Sequence, residues 1–238
     1  MPFNKILPKR TSVTLLTIAI AIAVTGCDES DLTDASSTPD TAFLATDDNS
    51  SSSTDTIALD TLSGGEISPA EKAGLLFMRE EEKLALDVYS TLFDTWNQQI
   101  FQNIAKSEQS HTDAMLSLLE TYDIPDPVGS NPVGVFVDSD LQSMYDSLVN
   151  QGYASLIDAL QVGAAIEEID IIDIEKRKNE VIGNDDIIET YEMLLKGSRN
   201  HLRAFVKNLA NQGIDYQPQY LKQAEYDAIV GTDTERGN

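Results

Sequence analysis

The sequence predicts an all-α domain of four long amphipathic helices joined through one long middle connection, and three observations carry that prediction. From Ser68 onward, apolar residues recur at steps of three, four and seven. Helix start and stop signals bracket the periodic stretches. No segment alternates convincingly in the two-residue rhythm of a strand. The domain is placed at residues 68–238, a normal size for a single core.

The first helix opens at Ser68-Pro69-Ala70-Glu71, where Ser68 can cap, Pro69 takes the first helical position and Glu71 completes a capping box. Its apolar stripe runs Leu75, Met78, Ala85, Tyr89, Leu92. A second helix carries Phe101, Ile104, Met115, Leu118 and Tyr122, and Pro125 and Pro127 are expected to end it. A loop follows to Val137, then a short extra helix from Ser139 to Val149, stopped by Gly152. A long third helix spans about 154–181 with Ile157, Leu160, Ala164, Ile171 and Ile174 inward; Gly183 ends it and Asn184 caps the next. The fourth carries Ile188, Tyr191, Leu195, Phe205 and Leu209. The long connection in the middle makes this a bundle with a crossover.

Ahead of the domain lie two segments of other character. Lys5, Lys9 and Arg10 precede an apolar run, Val13 to Val24, too short to span a membrane and suited to the core of a signal peptide. The run ends in Val24-Thr25-Gly26-Cys27, which resembles a bacterial lipobox. Residues 1–26 are therefore expected to be a lipoprotein signal peptide and Cys27 the lipidated residue, anchoring the chain to a membrane of the bacterial cell envelope, on its periplasmic or extracellular face. Residues 27–67 read as a disordered acidic tether: from Asp28 to Ser68 there are ten acidic residues and no Lys or Arg. The formal charge of the whole chain is −24. Such a surface excludes nucleic acid as a partner and attracts cations.

Each helical stripe is interrupted midway by polar residues. Glu82 falls seven residues after Leu75 and seven before Tyr89, on the apolar face. Glu108 and His111 fill the gap between Ile104 and Met115. Glu168, or its neighbour Glu167, lies between Ala164 and Ile171, and Ser198 and His201 lie between Leu195 and Phe205. An unpaired buried carboxylate is costly, and metal coordination is one remedy. In Glu-x-x-His the two side chains stand on one helical face and reach one ion. Arg79, Arg199 and Arg203 offer the competing remedy of neutralising carboxylates without any metal.

The two halves also align weakly. Glu81-Glu82-Lys83-Leu84 matches Glu167-Glu168-Ile169-Asp170, Lys106 and His111 match Lys196 and His201, and Glu82 pairs with Glu168. At Met78 to Ala85, Asn103 to His111 and Gly197 to Phe205 the chain resembles the ferritin-like superfamily, including the rubrerythrin group, and most closely the uncharacterised family called domain of unknown function 2202. The resemblance covers about 70–226. It implies a ferritin-like four-helix bundle holding two iron or manganese ions, in centres that reduce peroxide or oxidise ferrous iron with oxygen. It also implies Glu82, Glu108, His111, Glu168 and His201 as metal ligands. Ser198 departs from the pattern, which wants a second Glu there; Asp170, three residues after Glu167, shares its face and compensates if the helix is slightly rotated. A redox metalloenzyme is the first expectation, a non-catalytic metal-binding lipoprotein the second, and a metal-free interaction module the third. With Cys27 the only cysteine, a rubredoxin-type centre is excluded and an external reductant is expected.

Overall fold

A computed structural model of the protein describes residues 66–236. The leader, Cys27 and nearly all of the tether lie outside the described residues. Among the described residues there are six helices: α1 Pro69–Trp96, α2 Gln99–Thr121, α3 Ser139–Gly152, α4 Leu156–Lys178, α5 Asp185–Asn211 and α6 Gln223–Val230. The described residues form no strand, and none of their helices is long and apolar enough to cross a membrane.

Local chemistry sets the helix ends. The Ser68 hydroxyl accepts from the Glu71 N–H at 3.2 Å while the Glu71 carboxylate accepts from the Ser68 N–H at 2.8 Å, the expected capping box. Asn97, in the left-handed region at φ 49°, breaks α1 from α2. α2 stops at Thr121, short of the prolines expected to end it. Asp123 turns left-handed at φ 52°, and Ile124 closes the turn by donating to the Leu119 carbonyl at 2.8 Å. Asn184 stands at the start of α5 without capping it; its amide donates instead to Glu71 at 2.8 Å. α6 was not anticipated from the sequence.

The four long helices share one core. α1 packs on α2 and α4, and α5 packs on α4 and α2. α3 lies against α1 and α4, and α6 against α5. Leu75, Met78, Leu92, Met115, Ala164, Leu195 and Leu202 are fully inside, each large aliphatic contributing roughly 1.5–3 kcal/mol. Tyr89, Phe101 and Phe205 cluster with ring centroids 5.4–6.5 Å apart. Gly163 lets Phe205 approach α4, because a Cβ there would sit 2.3 Å from the ring.

The connection between α2 and α3 wraps over α1 and explains why a charged stretch of α1 is buried. Arg79 grips Asp126 at 3.0 and 3.1 Å and the Thr112 carbonyl at 2.9 Å. Glu80 accepts from the Val137 and Asp138 N–H groups at 2.6 and 3.0 Å. Lys83 pairs with Asp87 and donates to the Pro132 carbonyl at 3.1 Å. These charges face the connection, and that leaves Glu81 and Glu82 to face α4 and α2.

Candidate metal centre

Three carboxylates and two histidines meet midway along the four long helices. α1 supplies Glu82, α2 supplies Glu108 and His111 one turn apart, α4 supplies Glu167 and α5 supplies His201. They form two triads, Glu82–Glu108–His111 and Glu108–Glu167–His201, in each of which the donor atoms all lie within 4.8 Å of one another. Glu108 belongs to both. Its Oε2 stands 2.7 Å from His111 Nδ1 and its Oε1 stands 2.8 Å from His201 Nδ1. His111 Nδ1 is also 3.2 Å from Glu82 Oε2, and His201 Nδ1 is 3.5 Å from Glu167 Oε2. The imidazole rings face each other at 5.7 Å.

Glu82, Glu108 and Glu167 are each at most 1% exposed. Yet among the described residues Glu82 Oε1, Glu108 Oε1, Glu167 Oε2 and His201 Nδ1 have no hydrogen-bond partner. His201 and Glu108 are close but misaligned for a hydrogen bond, as expected of donors aimed at a common point rather than at one another. The second contacts around the centre are conventional. Tyr89 donates to Glu167 Oε1 at 2.5 Å, and His201 Nε2 meets the Ser107 hydroxyl at 3.0 Å. Such contacts orient ligands. Gly197 lies over His111, where a Cβ would come within 2.5 Å of the ring.

The electrostatics belong to a site built for positive charge. Burial pushes the Glu82 carboxyl up to about 7 against the pull of His111. For Glu108 burial acts the same way, but His201 and His111 outweigh it and hold the group well below the carboxylate range. Burial would depress both histidines; Glu108 and Glu82 instead lift His111 to about 11, and Glu167 and Glu108 lift His201 to about 10. Burial raises Glu167 despite His201. Without metal the histidines therefore hold protons that a cation must displace.

The arrangement differs from the sequence expectation at one position. Glu168 is not in the cluster. Its carboxylate turns away and accepts from the Tyr216 hydroxyl at 2.6 Å and from the N–H groups of Gln219, Tyr220 and Leu221 at 2.9, 2.7 and 2.8 Å. Glu167, the alternative, takes the place beside His201. The weak internal repeat misled by one residue, pairing Glu82 with Glu168. Glu82, Glu108, His111 and His201 stand together as the spacing suggested. Ser198 is buried and donates to its own helix at the Leu194 carbonyl, 3.2 Å away. Asp170 is buried one turn beyond Glu167 with Oδ2 unpartnered. None of the three arginines neutralises the centre: Arg79 pairs with Asp126, and Arg199 and Arg203 both pair with Glu235. Two contributors escaped sequence reasoning, the Gly197 clearance for His111 and the Ser107 hydroxyl on His201.

The donor set is one that could hold a metal ion. It is carboxylate and imidazole, with no thiolate among the described residues, and its unpartnered buried atoms face inward from four helices.

Comparison with known proteins gives the family. Residues 71–233 match the family described as "Uncharacterized protein domain (DUF2202)". The uncharacterized protein MJ0754 of Methanocaldococcus jannaschii is 54% identical over 171 residues, covering 72% of this chain and 92% of that protein. The crystal structure of hypothetical protein MJ0754 from Methanococcus jannaschii superposes with a TM-score of 0.71 at 52% identity, over 74% of this chain and 99% of the other.

Proposed function

The chain belongs to the DUF2202 family, and we propose that it is a ferritin-like four-helix protein that holds two iron or manganese ions and uses them in redox chemistry with oxygen or peroxide. The observation that carries this reading is the pair of buried donor triads sharing Glu108. Glu108 would span both ions, Glu82 and His111 would complete one set and Glu167 and His201 the other. When bound, such a pair supplies one-electron steps and Lewis acidity toward a dioxygen or peroxide ligand.

The chain's own residues set the conditions for that chemistry. Tyr89 fixes the Glu167 carboxylate through its hydroxyl, and Ser107 fixes the His201 ring. The aromatic trio of Tyr89, Phe101 and Phe205 excludes water on one side. Ser198 gives its hydroxyl to the Leu194 carbonyl, so α5 would bring His201 alone to a bound metal. Reducing equivalents come from outside the chain. We place the protein on the bacterial cell envelope through lipid on Cys27, with the acidic tether giving the domain reach. A second reading, tight binding without turnover, is favoured by the near-complete burial of all three carboxylates.

The test is elemental analysis of the full chain beside a Glu108→Ala, His111→Ala double variant. About two iron or manganese ions per chain, lost in the variant, is the expected result. Turnover of peroxide, or of oxygen with ferrous iron, by the loaded protein separates catalysis from storage. No metal after growth and reconstitution with both metals would sink the reading and leave a helical interaction module.

A further inference from the structure

The turn of α5 that carries His201 is tied to the segment that follows α6. Arg199, Asn200 and Arg203 all lie within two residues of His201. Among the described residues, every hydrogen bond their side chains make to another segment goes to residues 229–235. Arg199 holds the Glu235 carboxylate with both ends of its fork, Nε at 2.8 Å and Nη2 at 2.6 Å. Arg203 reaches the same carboxylate through Nη1 and Nη2 at 3.1 Å, and donates to the Ile229 carbonyl and the Thr232 hydroxyl, each at 2.9 Å. The Asn200 amide brackets the Glu235 backbone, donating to its carbonyl at 2.9 Å and accepting from its N–H at 2.8 Å. Side chain and main chain of one residue are thus held together. Lone exposed ion pairs contribute little, but a bidentate pair inside a network is the exception.

His201 is the residue of the centre with most need of such a tie. Its side chain is 11% exposed, against 0–5% for the other four. Its ring spans the wall of the bundle: Nδ1 faces Glu108 and Glu167, and Nε2 meets the Ser107 hydroxyl at 3.0 Å. Other ligand helices are held by other means. The α2–α3 connection grips α1, and α4 is buried all along Val162 to Ile171. The outer side of α5 at this turn has the segment 229–235. A short stretch of helix moves as a unit, so a contact on its outer side sets the roll and height of the side chain on its inner side. Metal sites tolerate only about ±0.2 Å in ligand distance. We propose that Glu235 is a positioning residue for His201, and that residues 229–235 form a strap fixing the α5 turn so that the imidazole keeps its place beside Glu108 and Glu167. The inference rests on the metal reading above. It makes the Glu108–Glu167–His201 triad depend on the C-terminal strap in a way that Glu82–Glu108–His111 does not. It also gives Arg199 and Arg203, which neutralise no ligand, a part in the centre.

The chain has two histidines, so ¹⁵N-imidazole NMR of the metal-stripped full chain reports His201 with His111 as internal reference. Titration with Mn²⁺ alone, followed by the free-ion electron paramagnetic resonance signal, reads the centre itself. Glu235→Ala is expected to shift and broaden the His201 resonances, leave those of His111 in place, and weaken one of two bound ions about tenfold, the low end for loss of a contact that orients a ligand. Arg199→Lys, which cannot make the bidentate pair, should do the same, and the two changes together should add little to Glu235→Ala alone. His201 unmoved in both variants overturns the proposal. So does His111 moving with it, which marks general loosening, and so does a displaced His201 with both ions held as tightly as in wild type. Wild type binding no Mn²⁺ overturns the metal reading, and the strap is then decided by the histidine resonances alone.

Discussion

Two adjacent glutamates on α4 should respond to substitution in opposite ways. Glu168 accepts from four donors, the Tyr216 hydroxyl and three backbone N–H groups, all in the segment that leads into α6. Hydrogen bonds to a charged group are worth about 1.5–3 kcal/mol each, which sets the ceiling for Glu168→Ala. The segment can swing outward and recover water, so the expected loss is about 3–5 kcal/mol. With a urea slope near 2 kcal/mol/M, the unfolding midpoint falls by roughly 2 M. Metal content should be unchanged. Glu167→Gln should do the reverse for metal. It keeps the shape and the Tyr89 contact and leaves Glu108 beside the His201 imidazolium, so the metal-free protein loses only about 1 kcal/mol while metal binding is lost. Urea denaturation of stripped protein and elemental analysis of loaded protein read both effects. If Glu168→Ala sheds metal, or costs less than about 1 kcal/mol, the assignment of the two neighbours is wrong.

Three other outcomes follow from the same structure. Gly197→Ala gains helix propensity of up to about 1 kcal/mol, yet its methyl collides with the His111 ring, so metal content should fall and stability drop by about 1–3 kcal/mol; normal loading would refute the clearance argument. Tyr89→Phe strips Glu167 of its donor and should cost about 1–2 kcal/mol in chemical denaturation and weaken metal retention against a chelator; no change in either would deny the phenol an orienting role. Burial tends to raise Glu71, but the Ser68 hydroxyl, the Ile182 N–H and the Asn184 amide outweigh it and hold its carboxyl at about 2. Its stabilising contribution is therefore complete above its ordinary value of 4.5 and is lost as pH falls toward 2. Urea midpoints at pH 6 and pH 3 should converge in Glu71→Gln relative to wild type, and parallel shifts in both proteins would contradict this.

Most of the helical layout is legible because the cues are local. The Ser68–Glu71 box, the glycines and the three-and-four spacing each act within a turn or two of chain. α2 and α5 have one buried face, and in α1 the flanking Leu75, Tyr89 and Leu92 phase the buried run Met78 to Ala85, so Glu82, Glu108, His111 and His201 could be placed from the apolar residues around them. α4 is different: Val162 to Ile171 is an unbroken run of buried residues. A helix covered on all sides has no stripe to fix its rotation, and the choice between Glu167 and Glu168 could not be made from periodicity. It was decided by a non-local contact, the segment 216–221 coming back to claim Glu168. The end of α2 escaped for a related reason, since a left-handed Asp123 carries less sequence signal than the prolines behind it. The run Arg79 to Lys83 resembles a solvated charge patch until the α2–α3 connection folds over it. Ser198 marked a missing carboxylate, but only the structure shows Asp170 and Glu81 buried with bare oxygens.

The sharing of Glu108 between two triads bears on how the centre fills. One carboxylate cannot take its best geometry for one ion without setting the position of its other oxygen, 2.8 Å from His201. On the proposed two-ion reading, the first cation to arrive would expel an imidazolium proton, draw Glu108 into place and repel its successor. The two loading steps would then be linked through a single side chain, and the free energies of removing ligands from opposite triads would not sum. A chain changed at both His111 and His201 should lose less affinity than the two single changes predict together, because either change already frees Glu108 from its role between them.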